Sequence, residues 1–439
     1  MTYATERNAT ALARLQELAG PELYWRNTFR ITSLPTDATH RTIRAQQRRA
    51  AVAGSVGAVS GAGGGPGGGP ALPQAPTPER LRAAFEELRD PQRRIVDELF
   101  WLWDTPDATC PCPRELHQRH DEAVRAHARA LDMELTEEWT DPDGRDVERA
   151  ETLWAVAGRT WTELLGDGRV REHLRHRVHA LDDRRLDESV VDVLLDRLPR
   201  TLLMSVAALP DTVVDLEDRA RLCAPWTGLG RETVDEVLEE VLEPVYESAA
   251  SKFEAIADLH DARRFDDEAR LLEEELVPVL VKLQPFATAL EQRYASKLCQ
   301  AGSTMLNNCA VALLDESAWA PPERVGRLLD LALRFAVDAE NRERIAANKT
   351  YLPGGAAGGN HAGTGAHAPS PPGLSVGEKV GCVTFLVFMV AAVVVGVMTG
   401  SFLAALGVGF GGLAVIGLVG DLLESLGGRR SRNPYGGRR

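Results

Sequence analysis

Between Arg114 and Leu352 apolar residues recur every three or four positions, and alternation with a period of two is almost absent. That pattern predicts an all-α chain. The spacing predicts helices over residues 114–135, 146–165, 169–181, 187–209, 231–260, 264–301, 303–316 and 322–350. Turn residues at Asp141-Pro142-Asp143-Gly144 and Gly166-Asp167-Gly168 separate some of them. Pro199, Pro244, Pro278 and Pro285 lie inside otherwise helical patterns and predict kinks or breaks. Upstream, a helix that Asp37 or Thr39 can cap turns Ile43 to one side and Arg41, Arg44, Arg48 and Arg49 outward. A second begins at Pro78-Glu79 and sets Leu81, Phe85 and Leu88 on one face. Residues 50–78 between them carry no charge and are nearly pure glycine from Gly61 to Gly69, the composition of an unstructured insertion. The aromatic run Glu98-Leu99-Phe100-Trp101-Leu102-Trp103 is too apolar for an exposed helix end and is expected to pack inside.

The pattern changes near the carboxyl end. From Val380 to Gly420 no residue is charged, and the hydroxyls are limited to Thr384, Thr399 and Ser401. Such a run suits two crossings of a hydrocarbon layer, since about 20 apolar residues span about 30 Å. Thr399-Gly400-Ser401 is the natural break, so residues 378–424 are expected to form a hairpin of two transmembrane helices. Gly396, Gly400, Gly407 and Gly411 are candidate packing positions for the hairpin or for a homo-oligomer built through it. Residues 353–377, with eight glycines and four prolines, have the composition of a flexible tether reaching roughly 25–30 Å. Arg429, Arg430, Arg432, Arg438 and Arg439 follow the second span, and the positive-inside bias would keep that 425–439 tail and the N-terminal region in the cytoplasm.

Charge and cysteine usage narrow the partners. The net charge of −14 argues against a nucleic-acid backbone as partner. The scarcity of lysine beside arginine fits a GC-rich bacterial genome. Six scattered cysteines are too sparse for a disulfide scaffold and fit a reducing compartment. Met1 to Gly20 is interrupted by Glu6, Arg7, Arg14 and Glu17, so no signal-peptide core is expected there.

Residues 24–104 carry a family pattern. Phe29-Arg30-Ile31, Leu34-Pro35, Asp37-Ala38-Thr39, Ile43-Arg44, Arg48-Arg49, Phe85, Leu88, Asp90-Pro91, Arg93-Arg94 and Asp97 together resemble the J-domain of Hsp70 co-chaperones. The resemblance implies a helical docking module over residues 1–104. The family stimulates Hsp70 through a His-Pro-Asp tripeptide after the basic helix, and the glycine-rich insertion stands in its place. ATPase stimulation is therefore not expected. Further on, Asn307-Asn308-Cys309-Ala310-Val311-Ala312-Leu313-Leu314 with Leu328, Leu331-Ala332-Leu333 and Asn348 resembles one tetratricopeptide-like hairpin, giving the body over 113–352 a helical-repeat character. Phe85, Arg93, Arg94, Asn308 and Ala332 are the candidate partner contacts.

Candidate chemistry is thin. Cys110-Pro-Cys112 with His117, His120 and His127 is the one local cluster of metal-ligand residue types, and Cys110, Cys112, His117 and His120 form its candidate zinc set. The Cys-x-Cys gap is shorter than usual, so loop cysteines and surface histidines are the favoured reading and no cofactor is expected. His173, His176 and His179 step by three around a predicted helix far from any cysteine and are read as ordinary helix positions. No phosphate-cradle, nucleophile-elbow or His-Glu-x-x-His motif occurs. These observations favour a membrane-anchored cytosolic adaptor that binds other proteins without turnover. The rivals are a membrane-active effector with an oligomerising hairpin and a zinc enzyme built on the cysteine and histidine cluster.

Overall fold

A computed structural model describes residues 7–55, 70–104, 110–136, 145–316 and 321–352. The tether, the two expected spans with Gly396, Gly400, Gly407 and Gly411, the arginine tail, residues 56–69 of the expected insertion and the Asp141–Gly144 turn lie outside them, while residues 50–55 of that insertion are helical. The described residues are helical throughout, without a strand among them. None of their helices is long and apolar enough to cross a membrane. The chain divides into two units. The first holds Met1–Ala249 and Arg263–Pro353, and of the second only residues 250–262 are described.

Local chemistry sets the first helices. α1 (Ala9–Leu18) buries Ala11, Leu15 and Leu18, the apolar stripe its spacing predicts. The single turn α2 (Thr28–Thr32) starts where the Asn27 side chain accepts from the Phe29 and Arg30 amides. For α3 (His40–Ser55), Thr39 accepts from the Thr42 amide. For α4 (Pro78–Glu87), Thr77 accepts from the Arg80 amide, and Pro78 occupies the first turn, where its missing N–H costs nothing. Asp90 caps α5 (Pro91–Leu99) through the Gln92 and Arg93 amides. Phe29, Leu34, Ala38, Ile43, Phe85, Leu88 and Trp101 close into one core between these elements.

Two buried carboxylates fasten that module. Asp97 accepts from Arg14 Nε and Nη2 and from Thr28 Oγ1 (2.9 Å), joining α1 to α5. Burial pushes the Asp97 carboxyl up to about 6, while Arg14 favours its ionised form. One residue on, Glu98 takes Arg94 Nε at 2.9 Å and Arg177 Nε at 2.9 Å. Both arginines also donate to the Thr36 carbonyl.

The body continues through α6 (Arg114–Leu135), α7 (Arg145–Leu165), α8 (Gly168–Leu181), α9 (Ser189–Ala207) and α10 (Leu216–Cys223). α6 packs along α7, and a 3-10 turn, Ala224–Leu229, lies against α7. That turn needs glycine beneath it, because a Cβ on Gly158 would sit 2.7 Å from the Pro225 carbonyl oxygen. Trp154 meets Trp226 and His127 edge-on at this junction, and His127 lies tilted against Trp226. His127 is fully enclosed and bridges Tyr24 Oη (3.1 Å) and Ser205 Oγ (2.9 Å). Burial holds its pKa down at about 3, so one ring nitrogen donates and the other accepts.

The second half comprises α11 (Arg231–Asp261), α12 (Phe265–Leu271), α13 (Val277–Thr288), α14 (Arg293–Glu316), α15 (Pro322–Phe335) and α16 (Ala339–Thr350). Two expected boundaries move. The stretch 264–301 does not form one helix: a π-turn at Leu272–Leu276 precedes Pro278, and the chain turns at residues 289–292, where Glu291 takes φ 48°. Helix α14 then runs straight through Gly302, which is a packing position rather than a break, since a Cβ there would run into Leu280 Cδ1. The stretch 322–350 divides at Ala336–Asp338, and Asp338 caps α16 by accepting from the Asn341 amide. Pro199 and Pro244 lie inside continuous helices.

Candidate metal centre

The segment leaving α5 does not reach solvent. Phe100, Trp101, Leu102 and Trp103 are all buried, as their composition predicts. Trp103 Nε1 donates to the Glu98 carbonyl (3.0 Å), and the Trp103 and Asp104 amides donate to the two oxygens of Asp121 on α6. Asp104 takes φ 54°, in the left-handed region an aspartate tolerates. These contacts seat Trp103 between two imidazoles. Its ring stacks on His120 at 3.6 Å and on His173 at 3.8 Å between centroids.

Beside this stack four soft-metal donors converge. Cys110, Cys112, His117 and His173 each offer one atom, and the four atoms lie within 4.8 Å of one another. Cys110 Sγ is 3.5 Å from His117 Nε2 and 3.7 Å from His173 Nδ1. His117 Nδ1 lies 3.0 Å from the Asp104 carbonyl, to which it can only donate. Nε2 is thereby left with its lone pair facing Cys110. Burial lowers the pKa of His117 and holds that of His173 down at about 2, so both rings are neutral at physiological pH. Burial, with Cys110 alongside, pushes the Cys112 thiol up to about 12.

This set differs from the one drawn from local spacing in one member. His120 stands outside the convergent group: its Nε2 pairs with the Leu99 carbonyl at 2.9 Å and its ring stacks on Trp103. His173 on α8 takes that place. His117, His120 and His173 are also not surface histidines, at 3 %, 1 % and 2 % exposure. His176 and His179 do not join the group.

The candidate partner contacts are distributed unevenly. Phe85, Arg94 and Ala332 are buried and hold packing or ion pairs, so their side chains offer little to another molecule. Arg93 is partly exposed and pairs with Glu17, and Asn308 is partly exposed beside Asn307. The polar set around α14 to α16 is internal: Ser303 donates to the Ala332 carbonyl (2.7 Å), Asn341 to Ser303, and Asn348 to Asn307. Cationic surface lies elsewhere. His40, Arg41, Arg44 and Arg48 on α3 line one shallow recess, all exposed, with Arg49 exposed beside them. Among the described residues none of these four arginines forms an ion pair.

No family model matches the chain, and neither a curated protein nor a solved structure matches it.

Proposed function

We propose that the protein is a membrane-tethered adaptor that binds an acidic surface of another protein through α3 of a J-domain-like module. The carrying observation is the exposed face His40, Arg41, Arg44, Arg48 and Arg49, whose arginines form no ion pair among the described residues of a chain of net charge −14. An arginine left unpaired in so acidic a molecule is available to an external carboxylate, and Arg matches that group with a rigid fork of donors. The core of Phe29, Ile43, Phe85 and Leu88 behind α3 supports the J-like reading. The missing His-Pro-Asp tripeptide assigns the module docking rather than stimulation of Hsp70. In this reading the helical-repeat-like body adds further contact surface. The uncharged run 380–420 forms a two-span hairpin that keeps both ends of the chain in the cytoplasm and pairs with other copies through its glycines.

Reversing the face tests the binding. Full-length protein with a photo-crosslinker at position 40 is expected to give protein adducts in cells. The variant Arg41→Glu, Arg44→Glu, Arg48→Glu should lose them by at least about tenfold, because like charges across a contact cost several kcal/mol. Its helical circular dichroism should stay unchanged, since none of these three side chains forms an ion pair among the described residues. Adducts of undiminished yield in that variant would refute the assignment.

A further inference from the structure

We propose that Cys110, Cys112, His117 and His173 bind one zinc ion in a closed structural site that clasps the exit of the J-like module to α6 and α8. A tetrahedral zinc with bonds of about 2.3 Å to sulfur and about 2.0–2.1 Å to nitrogen sets ligand-to-ligand edges of roughly 3.3–3.8 Å. The two edges at Cys110, 3.5 and 3.7 Å, already have that length. The 4.8 Å bound on the whole set leaves about 1 Å of contraction for the ion to impose.

Three features separate this cluster from thiols and imidazoles that merely pack. The Asp104 carbonyl takes the Nδ1 proton of His117 and aims Nε2 at the cluster, the outer hydrogen bond that ligating histidines require. His173 is held in place by the face of Trp103, so its Nδ1 is positioned without a metal. The charges also balance: two thiolates and two neutral imidazoles around a divalent ion sum to zero, which suits histidines as buried as these. Thiolate and imidazole donors without a carboxylate oxygen select zinc over magnesium or calcium.

Four protein ligands leave no position for water or substrate, which makes the site structural rather than catalytic. Its ligands come from three places: the segment after the buried tryptophans, the first turns of α6, and α8. On binding, each thiol gives its proton to solvent and the two Zn–S bonds form without any change of oxidation state. The ion would tie Cys110 and Cys112 to α6 and α8, where the J-like module meets the body.

Metal analysis of the purified full-length chain decides the matter. The expected content is one zinc per chain, and cobalt substitution should give the intense visible bands of a tetrahedral ion together with thiolate-to-metal charge transfer. Cys110→Ser with Cys112→Ser, and separately His173→Ala, should abolish the bound metal, whereas His179→Ala, an exposed histidine of the same helix outside the cluster, should keep it. Cys112→His, which exchanges one zinc ligand for another, should retain binding with weaker charge transfer. Should the serine variant fail to fold, the cobalt spectrum of the unaltered chain still decides. A folded chain that takes up neither metal, a six-coordinate cobalt spectrum, or zinc retained after loss of both cysteines would overturn the proposal.

Discussion

Replacing Asp97 by alanine is expected to lower the unfolding free energy by about 3–5 kcal/mol, the usual cost of removing one member of a buried ion pair. Arg14 is 4 % exposed, and Asp97 is its bidentate partner. Without that carboxylate the guanidinium keeps the Arg26 carbonyl and the more exposed Glu17 and Glu87, none of which replaces a buried counter-charge. Thr28 loses its acceptor as well. Denaturant unfolding of the full chain reads the loss, and amide exchange should rise first in α1, which is tied to α5 through this residue. The pH dependence adds a second signature. Because the folded pKa of about 6 lies above the ordinary 3.8, the stabilising contribution of this titration is fully present below 3.8 and is lost as the pH rises through 6. Asp97→Asn should therefore lack the increment that this titration adds to stability on acidification across that window. A loss below about 1 kcal/mol for the alanine variant would mean that the pair does not hold the module.

Glu98→Ala should cost about 3 kcal/mol, with a different distribution. Glu98 is 1 % exposed and lies between two guanidiniums, Arg94 from its own helix and Arg177 from α8. Both then retain carbonyl acceptors, Thr36 for each and Ala38 for Arg94, so less is lost per arginine than at Asp97, but two charges are affected at once. The weakened elements are α8 and the turn before α3, not α1. Exchange should accordingly rise over residues 168–181 while α1 stays protected. Equal exchange profiles in the two variants would show that the two ion pairs act as one network.

Much of the helical plan follows from local chemistry. The limits of α6, α7, α8 and α9 fall within about two residues of those expected from spacing, because each carries a long apolar stripe and most begin or end at a turn residue. Thr39, one of the two caps expected for α3, acts as its cap, and Thr77 and Asp90 cap α4 and α5. Where the plan failed, the cause lay at a distance. Gly302 looks like punctuation in the sequence, but it is needed where Leu280 from another helix comes close. The turn at residues 289–292 carries no glycine or proline and closes when the Gln292 amide reaches the Phe286 carbonyl. α10 and the 3-10 turn after it are short, and Pro225 with Gly228 reads as loop until Gly158 and Thr162 on α7 receive them.

The metal cluster divides along the same line. Cys110, Cys112 and His117 are near neighbours in the chain and were legible as a group. The fourth donor was not, because His173 is brought to them by the packing of α8 and shares its helix with two histidines that point elsewhere. His120 was the natural local choice, but the hydrogen bond to Leu99 and the stacking on Trp103 turn it into a support for the site. Buried neutral histidines in a stretch without a signature motif are the signal, and only tertiary structure reveals them.

Fractionation of a detergent-free lysate tests most directly whether the proposed adaptor works at a lipid surface. After ultracentrifugation the full-length chain should sediment with membranes, resist alkaline carbonate and be released by detergent, while a chain ending at Leu352 should stay in the supernatant. Full-length protein remaining in the supernatant would contradict the account.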